Sequence, residues 1–156
     1  MNLYHDSRSI VYRRPQGAAA CGSAVELRVR AEGVKKVELR VWQQNAETLI
    51  PMARLEENLY AASYTLPAEP GLVWYCFRAT DAAGGTAYYG NARDQLGGVG
   101  EMSEGLPPSY QITAYDPEYK TPKWLREGVM MQIMVDRFYA SKKRSADCLP
   151  AGSYYH

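Results

Sequence analysis

Few side chains in this sequence are placed for chemistry, and most of them have a structural explanation as well. Two indoles, Trp42 and Trp74, sit in runs of alternating polarity; a flat ring in such a setting can stack on a sugar face or fill a protein interface. Glu56 and Glu57 are adjacent carboxylates followed by Asn58. General acid and base work needs two carboxyls held in different environments, whereas this pair falls in a turn, where solvation accounts for both. Cys21, Cys76 and Cys148 cannot all pair within one chain and lack the close spacing of a metal knuckle. They read as reduced thiols, and no metal site is expected. His5 and His156 lie near the two ends of the chain, away from any apolar pattern, and are assigned no chemistry.

The elements that must position the indoles are strands. From Ser9 to about Gly90 apolar residues recur with period two, broken by frequent turn residues, which is the pattern of an antiparallel sandwich. Val25, Leu27, Val29 and Ala31 alternate with Glu26, Arg28 and Arg30. Val37, Leu39 and Val41 alternate with Glu38, Arg40 and Trp42, so Trp42 shares the polar side. These two strands are either neighbours in one sheet or facing members of two. Trp74 alternates with Arg78 against Val73, Tyr75 and Phe77, which puts it off the main core. Strands are also expected at Ile10 to Arg13, Thr48 to Arg54, Leu59 to Leu66, Leu72 to Thr80 and Thr86 to Tyr89. About seven short strands make an all-β, immunoglobulin-like (E-set type) antiparallel β-sandwich, without the Cys, Trp, Cys spacing of antibody domains.

Composition shifts at Gly90. The stretch to Pro108 is rich in glycine and proline and reads as an ordered loop, followed by one more strand at Tyr110 to Tyr115. The sandwich domain is thus placed at residues 1–115 and a linker at 116–128, where residues preceding proline avoid the helical region. The run Val129-Met130-Met131-Gln132-Ile133-Met134-Val135 is almost continuously apolar. A strand apolar on both sides belongs in a sheet covered on both faces, unlike the domain before it.

The bulk numbers exclude several classes. With 156 residues the chain is shorter than a complete α/β barrel of roughly 250. Eighteen Lys and Arg stand against seventeen Asp and Glu, and no long basic stripe offers a surface to nucleic acid. Thirteen tyrosines and three tryptophans beside two phenylalanines favour half-wet surfaces, although most such rings also pack well in sheets. Residues 1–10 lack the apolar stretch of a secretory signal, and no window is apolar enough to span a membrane. A cytoplasmic protein is expected.

Pro122-Lys123-Trp124, followed by Gly128 to Phe138, resembles the opening barrel strand of the alpha-amylase family of glycoside hydrolases, of the neopullulanase, cyclomaltodextrinase and alpha-glycosidase type. The family strand, Y-Q-I-F-x-D-R-F, is matched at Gln132, Ile133, Asp136, Arg137 and Phe138, with Met131 where Tyr is usual. Trp74 to Arg78, Tyr88-Tyr89-Gly90 and Gln111 to Tyr115 likewise resemble the end of the N-terminal β-sandwich that precedes this barrel.

The resemblance implies that residues 129–156 are the start of a TIM-type (β/α)8 barrel and that the chain is an accessory part of an enzyme acting on alpha-glucans. Retaining hydrolysis needs two carboxylates about 5 Å apart, which in this family come from later barrel strands, so no catalytic residue and no hydrolysis are expected of this chain alone. Asp136 ends the apolar run, but Arg137 beside it points to a structural charge network. Relatives carry an N-G-D loop that can help bind calcium; here Ser141, Lys142 and Lys143 take those places, and neither calcium nor another cofactor is expected. The resemblance assigns the sandwich to packing against the barrel, to dimerisation or to shaping substrate access. The alternatives are a free-standing starch- or glycogen-binding module that stacks maltodextrin on Trp42 or Trp74, and a protein-interaction domain without sugar affinity.

Overall fold

The computed structural model describes residues 1–134. In chain order the strands are β1 (Asn2–Tyr4), β2 (Arg13–Arg14), β3 (Ala19–Ala20), β4 (Ala24–Glu32), β5 (Lys36–Gln43), β6 (Ala46–Pro51), β7 (Ala53–Arg54), β8 (Leu59–Thr65), β9 (Gly71–Thr80), β10 (Thr86–Gly90), β11 (Glu101–Ser103) and β12 (Tyr110–Tyr115). One helical turn, α1, spans Lys123–Arg126.

The two strongly alternating segments become β4 and β5, and they face each other from two sheets. In the smaller sheet β4 is central: β8 and then β7 lie on one side, while β1 and β2 share its other edge in succession. In the larger sheet β9 is central. Along one edge it pairs with β5 and, beyond it, β6; along the other it pairs with β10 near its C-terminal end and β12 near its start. β11 extends β10, and β3 adds to β12 as the one parallel pair among these ladders.

Period-two burial makes the core. Val25, Leu27 and Val29 from the smaller sheet meet Leu39, Val73, Tyr75 and Phe77 from the larger, all at 0% exposure. Burying each such aliphatic or Phe side chain contributes about 1.5–3 kcal/mol relative to leaving it in water, and the alternation fixes register, because a one-residue slip would turn the apolar set outward.

Within the sheets, three strand and loop expectations are corrected. The strand placed at Ile10 to Arg13 forms only at Arg13–Arg14, because the amides of Tyr12 and Arg13 both donate to the Ser9 carbonyl and close a turn. The strand placed at Thr48 to Arg54 is two strands: β6 ends at Pro51, and the chain crosses to the smaller sheet at Met52, whose side chain is buried and whose amide bonds the Val37 carbonyl. The loop from Gly90 to Pro108 contributes β11.

The chain divides after Tyr119. In the part that follows, α1 is the single element among the described residues, and the strand expected from Val129 does not form through Met134. Val129 is 97% exposed and Met131 77%. A strand of a parallel sheet takes its hydrogen bonds from neighbours on both sides, and the described residues pair none with it. Val135, Asp136, Arg137, Phe138, Ser141, Lys142, Lys143, Cys148 and His156 lie outside the described residues. No helix among the described residues is long and apolar enough to cross a membrane.

Candidate functional site

Antiparallel pairing brings the two indoles together. Trp42 of β5 lies directly opposite Trp74 of β9, and the same cross-strand row continues to Glu47 on β6 and Gln111 on β12. All four project from the outer face of the larger sheet, because inward positions at Val41, Val73, Tyr75 and Ile112 alternate with them. Directly opposed residues have Cβ atoms about 5 Å apart, so the two indoles leave the sheet from neighbouring positions of one cross-strand row. Trp42 is 37% exposed, and Trp74 is half-buried.

The next row holds Leu49, Arg40 and Cys76. The Arg40 guanidinium donates to Glu47 at 2.8 Å and lies 5.9 Å from the Trp42 ring centroid, within range of a cation–π contact. It also covers Cys76, which is 0% exposed although its position points outward. Burial pushes the Cys76 thiol up, and the neighbouring Arg40 charge opposes that shift. One row further, Glu38 is 6% exposed, with Lys36 Nζ at 2.6 Å and Arg78 Nε at 3.6 Å. The second distance is an ion pair too long to be a hydrogen bond. This face is therefore covered by its own long side chains around an apolar stripe that adds Leu49, Leu72 and Tyr115, all exposed.

Glu56 and Glu57 sit in the turn before β8, exposed, with their carbonyls accepting from Arg54. Gln132 is exposed and outside any strand. Among the described residues no cluster of three His, Cys, Asp or Glu side chains could hold a metal ion, and Cys21 and Cys76 are free thiols.

His5 is where the structure overturns the sequence reading. It is 0% exposed, with its ring centroid 4.8 Å from that of Phe77, 5.0 Å from Tyr110, 5.8 Å from Tyr75 and 5.9 Å from Tyr12. Nδ1 lies 2.7 Å from the Arg28 carbonyl, which only accepts, so Nδ1 carries the proton and Nε2 accepts from the Tyr75 hydroxyl at 3.0 Å. Burial lowers its pKa from 6.5 to about 4, so the ring is neutral. The signal was present: Leu3 and His5 alternate with Asn2, Tyr4 and Asp6, a period-two fragment too short to stand out.

In alignments of 147 positions that cover 88% of its length, the chain is 34% identical to an amylopullulanase of Thermoanaerobacterium thermosulfurigenes and 33% identical to that of Thermoanaerobacterium saccharolyticum. It matches the N-terminal region of alpha-amylase-family glycoside hydrolases. The chain spans only 8% and 11% of the length of those two relatives. A solved cyclomaltodextrinase superposes with a TM-score of 0.52 over 81% of the chain and 22% of its own, at 14% identity, which is a likeness of fold. No family model matches the chain.

Proposed function

We propose that residues 1–115 form an accessory sandwich that docks through the outer face of its larger sheet, against the catalytic part of a glycosidase acting on alpha-glucans or against a second copy. In this reading residues 116–128 link it to a barrel that begins near Val129, and docking shapes access to the active site. The observation that carries it is the exposed apolar stripe of Trp42, Leu49, Leu72 and Tyr115 on one sheet face. Scattered surface hydrophobics need no explanation, but a contiguous patch marks an interaction surface. A cytoplasmic setting accords with the free thiols at Cys21 and Cys76.

A second reading rests on a separate observation. The Trp42–Trp74 row is flanked by Arg40, Glu47 and Gln111, so rings for stacking stand beside donors and acceptors for hydroxyls. In that reading the face holds maltodextrin.

Titration of the chain with maltoheptaose and β-cyclodextrin, followed by tryptophan fluorescence, separates the two. Docking expects no saturable change, together with concentration-dependent self-association in sedimentation that Leu72→Glu weakens. Saturable binding lost in Trp42→Ala and Trp74→Ala would replace docking by sugar binding.

A further inference from the structure

A second polar site lies away from the indole row. A cleft of about 370 Å³ opens between the segment following β1 and the loop from Asn91 to Gly97. Its lining includes two guanidiniums, Arg8 and Arg13, and four carboxamides, Gln16, Asn91, Gln95 and Gln111, with no carboxylate among the residues lining it.

Arg13 is 7% exposed, yet its terminal nitrogens meet only neutral carbonyls, Gln111 at 3.0 Å and Gly17 at 2.5 Å, and its Nε is buried without a partner. Arg8, at the exposed rim, donates to the Leu96 carbonyl at 2.7 Å. Among the described residues neither guanidinium forms an ion pair. Asp6 and Asp94 each cap a local turn, Asp6 Oδ1 accepting the Arg8 amide and Asp94 Oδ1 the Leu96 amide, and neither pairs directly with a guanidinium. A buried cation without a counter-charge in contact is costly, and Arg13 has none among the described residues. A neutral sugar would want an exposed ring and acceptors. Here the one ring in the lining, Tyr110, is 1% exposed, and donors dominate.

We infer that this cleft binds a small oxyanion, a phosphate or carboxylate group, against Arg8 and the charge of Arg13. Planar guanidinium forks suit such groups, and the ligand supplies the counter-charge the fold leaves out.

The test is an NMR titration of the 156-residue chain with sodium phosphate and with sodium acetate at constant ionic strength, using sodium chloride and maltose as controls. Saturable shifts confined to backbone amides near residues 7–17 and 91–97 are expected. Arg8→Ala should weaken binding about tenfold, as loss of one charge-assisted contact does. Gln95→Glu, which sets a carboxylate in the cleft at nearly constant shape, should abolish it. Preference for phosphate assigns the site to phosphorylated ligands, and preference for acetate to carboxylates. Linear or scattered shifts, equal response to maltose, or wild-type affinity in both variants would overturn the inference.

Discussion

His5 accepts the Tyr75 hydroxyl proton at 3.0 Å, tying the segment that follows β1 to the centre of the opposite sheet. The same ring donates to the Arg28 carbonyl, and its own carbonyl receives the Tyr89 hydroxyl at 3.1 Å. A polar ring at the centre of an aromatic cluster is tolerated because each of its polar atoms is satisfied.

Acid should therefore loosen this domain at an unusually high pH. The native state holds His5 neutral down to about pH 4, whereas the unfolded chain protonates near 6.5. Between those values the unfolded state binds more protons. The contribution is thus complete above pH 6.5 and is lost as pH falls toward 4, by roughly 3 kcal/mol in all. Urea unfolding at pH 7.5 and 4.5 checks it. His5→Gln should be less stable at pH 7.5 and show a shallower decline; an unchanged decline would assign the acid sensitivity to other groups.

The second expectation concerns Gly100. A methyl group there would run into the Gly90 carbonyl and the Tyr110 hydroxyl, where the chain leading into β11 crosses close to the end of β10. Backbone on one side and a fully buried ring on the other leave nothing free to yield. Gly100→Ala should destabilise by about 3 kcal/mol or more. At Gly105 nothing lies within 4 Å of the added atom, and Gly105→Ala should stay within about 0.5 kcal/mol of the parent. Thermal melts of the two variants give the contrast, and equal melting points would show that the crossing can open.

Much of this fold is legible in the residues. The alternation in β4, β5 and β9 gives strand identity, the inward face and the outward side of Trp42 and Trp74 without any structure. What it does not give is partnership: that β5 pairs with β9 in a register setting one indole opposite the other is a long-range fact. The two-residue strands β2, β3 and β7 carry too little pattern to read. The break at Met52 hides inside a run that alternates well on either side. His5 escaped because its partners, Arg28 and Tyr75, are 23 and 70 residues away. The apolar run from Val129 has the composition of a buried strand, but composition does not supply the neighbouring strands that would pair with it.

Arg40 should act as the lid on Cys76. The thiol is fully buried although it points out of the core, and Arg40 spans the gap between Glu47 and the Trp42 ring above it. With Cys21 and Cys148 changed to Ser, native protein should be inert to a thiol reagent, both because the sulfur is covered and because its pKa is raised. Arg40→Ala should expose it and make labelling measurable without unfolding, with an accompanying change in Trp42 emission. Labelling at the parent's rate would mean that the indoles, not Arg40, cover the sulfur.

The last expectation concerns the chain after Tyr119. Trp124 is 71% exposed, Val129 97% and Met130 73%, so apolar groups that a packed barrel would cover stand in water. Limited proteolysis should cut between Lys120 and Met134, where Lys120, Lys123 and Arg126 offer trypsin exposed sites, while the sandwich up to Tyr119 resists. The trimmed product should keep the self-association that Leu72→Glu weakens, since the Trp42 and Leu72 face lies on the sandwich. Association lost on trimming would move the contact onto the exposed apolar run after Tyr119. A chain that trypsin leaves whole would show that residues 120–134 are covered in solution.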